Sequence, residues 1–278
     1  VGERLESLLA LFNIEDAGAT IRHAYARLCR QSLDMPFGRR PIGASRLNAD
    51  GTPFQFALAL GAADPALQFL AEAAPPDAAG AERIAAARRC IRDLAGLIGA
   101  QAALSVVSPW LDALAPADDA ELLSDEAGAI WVGAALGAGG SARLKVYANA
   151  KWGSANSRWA RLDAYAARLG VATDWRGAHE RLSGLQPLGA SLVIGAGAAP
   201  AGRIYLSGYG KPWHEYEALG RHFGGPVFGF HLRQYGQTLL GDDCVYPTRS
   251  AVVSLGMQQG QIADVKVELC AHCAFDSD

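Results

Sequence analysis

The chain has 278 residues, half of them hydrophobic and 19% charged, with a formal net charge of −3. That size suits one large domain or two small ones, and the near-neutral charge offers no global basic field for nucleic acid, so any cationic site must be a local cluster. No run approaches the roughly 18 consecutive apolar residues of a membrane span, and the five cysteines, odd and sparse, fit a reduced, cytoplasmic protein.

The opening "VGERLESLLALFN" reads as an amphipathic helix rather than a signal peptide, since it lacks a basic n-region and a small-residue cleavage site. Helices are predicted over about 2–13 and 16–32, with Leu5, Leu8, Leu9 and Phe12 on one apolar stripe and Ile21, Tyr25 and Leu28 on another. Asp50-Gly51 signals a turn, 53–60 a strand, and 66–72 a second strand after the turn at Ala63-Asp64-Pro65. Residues 79–99, rich in alanine, form the clearest helix; another covers about 102–115, and a polar loop runs to Glu126. Then "AIWVGAALGAGGSARLKVYANA" reads as strand, glycine turn at 137–140 and strand, followed by a helix over 155–169. "LGASLVIGAGAAPAGRIYLSG" repeats strand, turn, strand, with a helix near 213–222. "SAVVSLGMQQGQIADVKVELCA" gives a last hairpin turning around Gln259-Gly260.

Hairpins therefore centre near 63, 139, 198 and 260, with helical segments between them. Repeated helix–hairpin–helix units predict an α+β fold whose antiparallel sheet carries helices on one face. The other strand face is polar and small, which suits the lumen of a ligand-holding barrel; an open sheet with a wet face is the alternative.

The second strands of three hairpins read L-K-V-Y at 144–147, G-R-I-Y at 202–205 and V-K-V-E at 265–268. Lys145, Arg203 and Lys266 are expected in one register, and Tyr147, Tyr205 and Glu268 in the next inward one. If those strands are neighbours in a barrel, three cations converge and need an anion, which points to a phosphate-bearing ligand. The adjoining tyrosines offer π-faces to a positive centre. A solvated face on an open sheet would carry the same residues without a site.

Other motifs fail. "LVIGAGAAPAG" begins like a dinucleotide loop at Gly195 and Gly197, but Pro200 takes the third glycine position and a strand follows. No GxSxG or phosphate-loop stretch occurs, and Asp118-Asp119 and Asp242-Asp243 lack the further aspartate of a diphosphate–magnesium motif. Cys270 and Cys273, flanking His272, form a single CxxC short of the roughly four ligands zinc needs, and read as free thiols at a strand end.

Repeated αββα units, a polar lumen and the K-V-Y and R-I-Y strands resemble the aromatic prenyltransferases, and most nearly the dimethylallyltryptophan synthases (indole prenyltransferases). "NADGTPFQFALALG" followed by "LQFLAEAAPP" is similar to that family's D-G-T-P strand and its next strand ending in Glu-Pro. The resemblance covers about residues 45–270 and implies a single αββα-barrel domain over 1–278. It implies that Glu72 holds an indole N–H and assists deprotonation. It also implies that Arg83, Lys145, Arg203 and Lys266 bind the diphosphate of dimethylallyl diphosphate, and that Tyr147 and Tyr205 shield the allylic cation. No metal or other cofactor is implied, and the partners are an isoprenoid diphosphate and an aromatic acceptor, an indole or, as nearest variant, a phenol.

Two departures stand out. Glu268 lies where a tyrosine is expected, and a fifth hairpin is not in sight before Asp278, although "FHLRQYGQ" at 230–237 carries Arg233 and Tyr235 in the basic-x-Tyr pattern. A reduced barrel, completion by another chain of an oligomer, or an absent segment would each account for this. The rival function is a non-catalytic isoprenoid-diphosphate or peptide binder, or a subunit of a heteromer.

Overall fold

The computed structural model describes residues 10, 18–28, 54–59, 66–74, 78, 80–115, 130–137, 141–149, 153–182, 184–195, 199–208, 211–240 and 251–269. Helix α1 is Gly18–Leu28, α2 Gly80–Leu97, α3 Leu104–Leu114, α4 Ala155–Arg168, α5 Ala172–Leu182 and α6 Trp213–Leu240. The strands are β1 Phe54–Ala59, β2 Ala66–Glu72, β3 Ile130–Gly137, β4 Ala142–Asn149, β5 Gln186–Gly195, β6 Ala201–Ser207, β7 Ala251–Gln258 and β8 Gln261–Leu269. The chain divides into two compact units, Val1–Trp152 with Ser191–Pro200, and Gly153–Ala190 with Ala201–Asp278.

In the first unit β1, β2, β3 and β4 form an antiparallel meander. Because successive side chains of a strand point to opposite faces, one face collects Leu67, Phe69, Ala71, Ile130, Val132, Ala134, Leu136, Leu144, Val146 and Ala148, all buried. Helix α2 packs on β3 and β4 and offers Ala87, Ile91, Leu94 and Ala95, spaced for one helical stripe. Helix α3 buries Val107, Trp110, Leu111 and Leu114 at the same spacing. It is tied to α2 by Arg88, which donates to Ser108 Oγ at 2.8 Å and pairs with Asp112.

In the second unit β6, β7 and β8 repeat the scheme, with Ile204, Leu206, Val253, Leu255, Met257 and Val265 buried. The β7–β8 turn holds Gln259 at φ 52° and Gly260 at φ 80°, the two positive φ values of the tight hairpin turn predicted there. Helix α4 starts at Ser154, whose Oγ accepts from the Ser157 N–H at 3.2 Å. Its Tyr165 reaches β6 so closely that a Cβ on Gly202 would lie 2.0 Å from the phenol oxygen.

The predicted hairpins and the helices at 79–99, 102–115 and 155–169 recur within a few residues, and the antiparallel α+β character is as expected. The structure differs elsewhere. Helix α5 was not anticipated; its Trp175 Nε1 donates to Asp163 at 2.7 Å and its His179 stacks on Trp159, ring centres 4.3 Å apart. Beyond 222 the chain stays helical. Gly225, at φ 82°, and Pro226 interrupt α6, and the two halves fold back on each other. Trp213 Nε1 donates to Leu232 O at 2.9 Å, a bond that a straight helix would forbid by holding those residues roughly 28 Å apart. The basic-x-Tyr pattern of Arg233 and Tyr235 therefore sits on a helix, where Arg233 donates to the buried Glu217 at 3.1 Å. It is not a fifth stave. The expected helix at 2–13, the two aspartate pairs and Cys270, His272 and Cys273 lie outside the described residues, apart from residue 10.

Gly202→Ala is expected to cost about 1–3 kcal/mol, since Tyr165 is clamped inside the core. Gly96→Ala, which meets nothing within 4 Å, should instead raise stability by about 0.4–1 kcal/mol. Urea unfolding midpoints check both.

Candidate functional site

Each unit gathers a polar cluster on the sheet face opposite its buried core. In the first, strand pairing puts Glu72, Trp131 and Tyr147 in one row across β2, β3 and β4, and Leu70, Gly133 and Lys145 in the row two residues along. Glu72 is the only charged group buried in this meander among the described residues, its side chain 3% exposed. Its Oε1 accepts from Arg83 Nη1 at 3.5 Å, while Arg83 Nε donates to Ala78 O at 2.8 Å. The second oxygen, Oε2, is enclosed without a hydrogen-bond partner among the described residues, and so is Nε1 of its cross-strand neighbour Trp131. A buried acceptor left this way carries a desolvation cost of about 1–3 kcal/mol, which a matching donor would recover.

Lys145 crosses β3 where that strand carries only small residues on this face. From β4 it reaches across β3 and donates to Gln68 Oε1 on β2. The path crosses Gly133 and Ala135, which lie opposite Lys145 and Arg143. At Gly133 a side chain is excluded outright, because a Cβ would stand 1.8 Å from the Phe69 carbonyl oxygen.

In the second unit Arg203, Gly256 and Asp264 form one row, and Tyr205, Ser254 and Lys266 the next. Arg203 pairs with Asp264 and donates through Nη1 to Ser254 Oγ at 3.1 Å. Here the expected register is corrected. Lys266 shares the row of Tyr205, not that of Arg203, and Glu268 falls opposite Val252 in the row of Ser207. Counting residues from each strand's start assumed equal offsets; pairing is set by the hairpin turn, and a register shift at Gly256/Met257 moves β8 by one further residue. Lys266 is mostly exposed and lies 3.6 Å from Glu268, a surface pair of little energetic weight.

Gln68, Trp131, Ser254 and Asp264 were not singled out from sequence. Gln68 and Ser254 had a visible signal, each a polar residue at an alternate position in an otherwise apolar strand. Asp264 had none, because its row depends on the bulge. Among the described residues no three His, Cys, Asp or Glu side chains are grouped so as to hold a metal ion, and no helix is long and apolar enough to cross a membrane.

No family model and no curated protein matches the sequence. Solved structures do match the fold. The 6-dimethylallyltryptophan synthase of Micromonospora olivasterospora, solved with DMASPP and Trp, is similar over 98% of this chain and 77% of its own, with a TM-score of 0.79 at 16% identity. The chain has the fold of the dimethylallyltryptophan synthases. The 5-dimethylallyltryptophan synthase of Streptomyces coelicolor matches over 87% of this chain and 68% of its own, with a TM-score of 0.68 at 20% identity. Prenyltransferase PriB, solved with L-tryptophan and dimethylallyl thiolodiphosphate, matches over 93% and 71%, with a TM-score of 0.73 at 22% identity. The likeness to an aromatic-prenyltransferase fold read from the K-V-Y and R-I-Y strands is thereby established, while residue roles rest on the geometry above.

Removing Arg83 leaves a buried carboxylate without its cation, so Arg83→Met is expected to lower stability by about 3 kcal/mol. Adding Glu72→Gln should restore a large part of that loss, because the two effects share one pair. Thermal and urea unfolding of the two single variants and the double variant measure the coupling.

Proposed function

We propose that the protein is an aromatic prenyltransferase that moves a dimethylallyl group from dimethylallyl diphosphate to an indole, such as tryptophan or a tryptophan-containing peptide, without a metal. The observation that carries this reading is Glu72, a buried carboxylate with one oxygen on Arg83 and the other unmatched. It shares its row with Tyr147, and Lys145 lies on the same face of β4. An aromatic N–H supplies the donor that Oε2 lacks.

In this reading Arg83, Lys145, Arg203 and Lys266 hold the diphosphate. As the allylic C–O bond breaks, its electron pair leaves with the diphosphate, and the cations stabilise that developing charge. Tyr147 and Tyr205 present π-faces to the allylic cation and keep water from it. The aromatic carbon then forms the new C–C bond, and Glu72, holding the N–H, assists loss of the ring proton as aromaticity returns. The ligands named in the neighbouring structures, tryptophan and dimethylallyl diphosphate analogues, support this pairing of substrates.

Lys266, mostly exposed and paired with Glu268, favours a second reading in which the protein binds an isoprenoid diphosphate or a peptide without turnover, alone or as a subunit. Incubation with dimethylallyl diphosphate and tryptophan in EDTA separates the two: the proposal expects a product heavier by one isoprene unit. Intact diphosphate binding with no product across indoles, phenols and peptides would support the binder. Glu72→Gln is expected to lower turnover and leave diphosphate affinity unchanged, whereas Lys145→Ala should weaken that affinity about tenfold. Parent-like behaviour of both variants would remove the site from this face.

A further inference from the structure

The row Arg203–Gly256–Asp264 is built to let two charges meet across an intervening strand. Arg203 lies on β6 and Asp264 on β8, with β7 between them, yet their side chains form an ion pair. The pair passes over Gly256. A Cβ there would stand 2.3 Å from Asp264 Oδ2 and 2.9 Å from Arg203 Nη2, so any side chain at this position would occupy the space in which the two meet. Two further features aim the groups. Fully buried Ser254 takes Arg203 Nη1 at 3.1 Å and leaves Nη2 to Asp264. The register shift at Gly256/Met257 brings Asp264, rather than Ala263, opposite the glycine.

We infer that Asp264 is a resident anion that occupies Arg203 until a diphosphate displaces it, and that retakes Arg203 when the diphosphate leaves. This rests on the reading of Arg203 as a diphosphate-binding group. Ser254 is neutral and buried, and keeps its bond to Nη1 whichever anion holds Nη2. Asp264 is half exposed on β8, so it yields to solvent at little cost once a doubly charged competitor arrives. The arrangement favours turnover over tight binding, because the diphosphate oxygen that takes Arg203 must replace a carboxylate oxygen, and product release regains the ion pair.

The test uses inorganic pyrophosphate as the probe, titrated calorimetrically into the parent, Asp264→Asn, Asp264→Glu and Arg203→Ala at one salt concentration. With the competing charge removed, Asp264→Asn is expected to bind pyrophosphate about two- to fivefold more tightly. Its product inhibition should strengthen by the same factor, and Asp264→Glu should return to the parent value. Arg203→Ala should weaken binding. If Arg203→Ala weakens binding while Asp264→Asn leaves it unchanged or weaker, Asp264 is not a competitor and the inference falls alone. If Arg203→Ala has no effect, the diphosphate role of Arg203 falls, and the inference with it.

Discussion

The two-residue alternation of a strand is the constraint from which the rest of the molecule follows. In each unit one strand face is committed to a helix-covered core, so every polar side chain of those strands is delivered to the other face. Two polar groups on either side of a strand meet most readily where the middle strand carries a small residue. It does so at Gly133 under Lys145 and Gln68, and at Gly256 under Arg203 and Asp264. The two glycines are required by different neighbours: a Cβ at Gly133 would meet the Phe69 backbone, and one at Gly256 would meet the Arg203–Asp264 pair itself. Glycine in a strand normally weakens it, and here that weakness is exchanged for reach across two strand spacings, roughly 10 Å.

The charged groups differ in what they must give up to bind an anion. Arg83, Arg203 and Lys266 each lie beside a carboxylate, Glu72, Asp264 and Glu268 respectively. Lys145 instead rests on the amide oxygen of Gln68, a partner without charge. Arg83, Arg203 and Lys266 would each have to be drawn from a carboxylate before binding an anion. The cost is unequal too. Glu72 is enclosed and cannot turn to water, so Arg83 is bound to it far more firmly than Lys266 is to the exposed Glu268. Arg83 thereby holds in place the carboxylate whose other oxygen has no partner among the described residues.

Much of the fold was legible because its signals are local. The turn at Ala63-Asp64-Pro65 marked 66–72, apolar alternation marked the strand around 142–149, alanine-rich helical spacing marked α2, and Gln259-Gly260 marked the last turn. The aromatic-prenyltransferase likeness came from short strands whose polar face carries Lys-x-Tyr and Arg-x-Tyr, and the solved structures match that fold. What was not legible depends on pairing across the sheet or on distant packing. The row shared by Arg203 and Asp264 requires knowing the register shift on β8. The continuation of α6 through Gly225-Pro226 went unread because glycine and proline together usually end a helix. Here they make the turn of a helical hairpin, held by Trp213 on Leu232 and by Arg233 on Glu217.

The central claim is that the polar face of β2, β3 and β4 takes a diphosphate at Lys145 beside an aromatic acceptor at Glu72. A structure solved with dimethylallyl thiolodiphosphate tests it most directly. Lys145 is expected to leave Gln68 and donate to a diphosphate oxygen, with Glu72 still held by Arg83. An analogue bound elsewhere, with Lys145 still crossing Gly133 to Gln68, would contradict it.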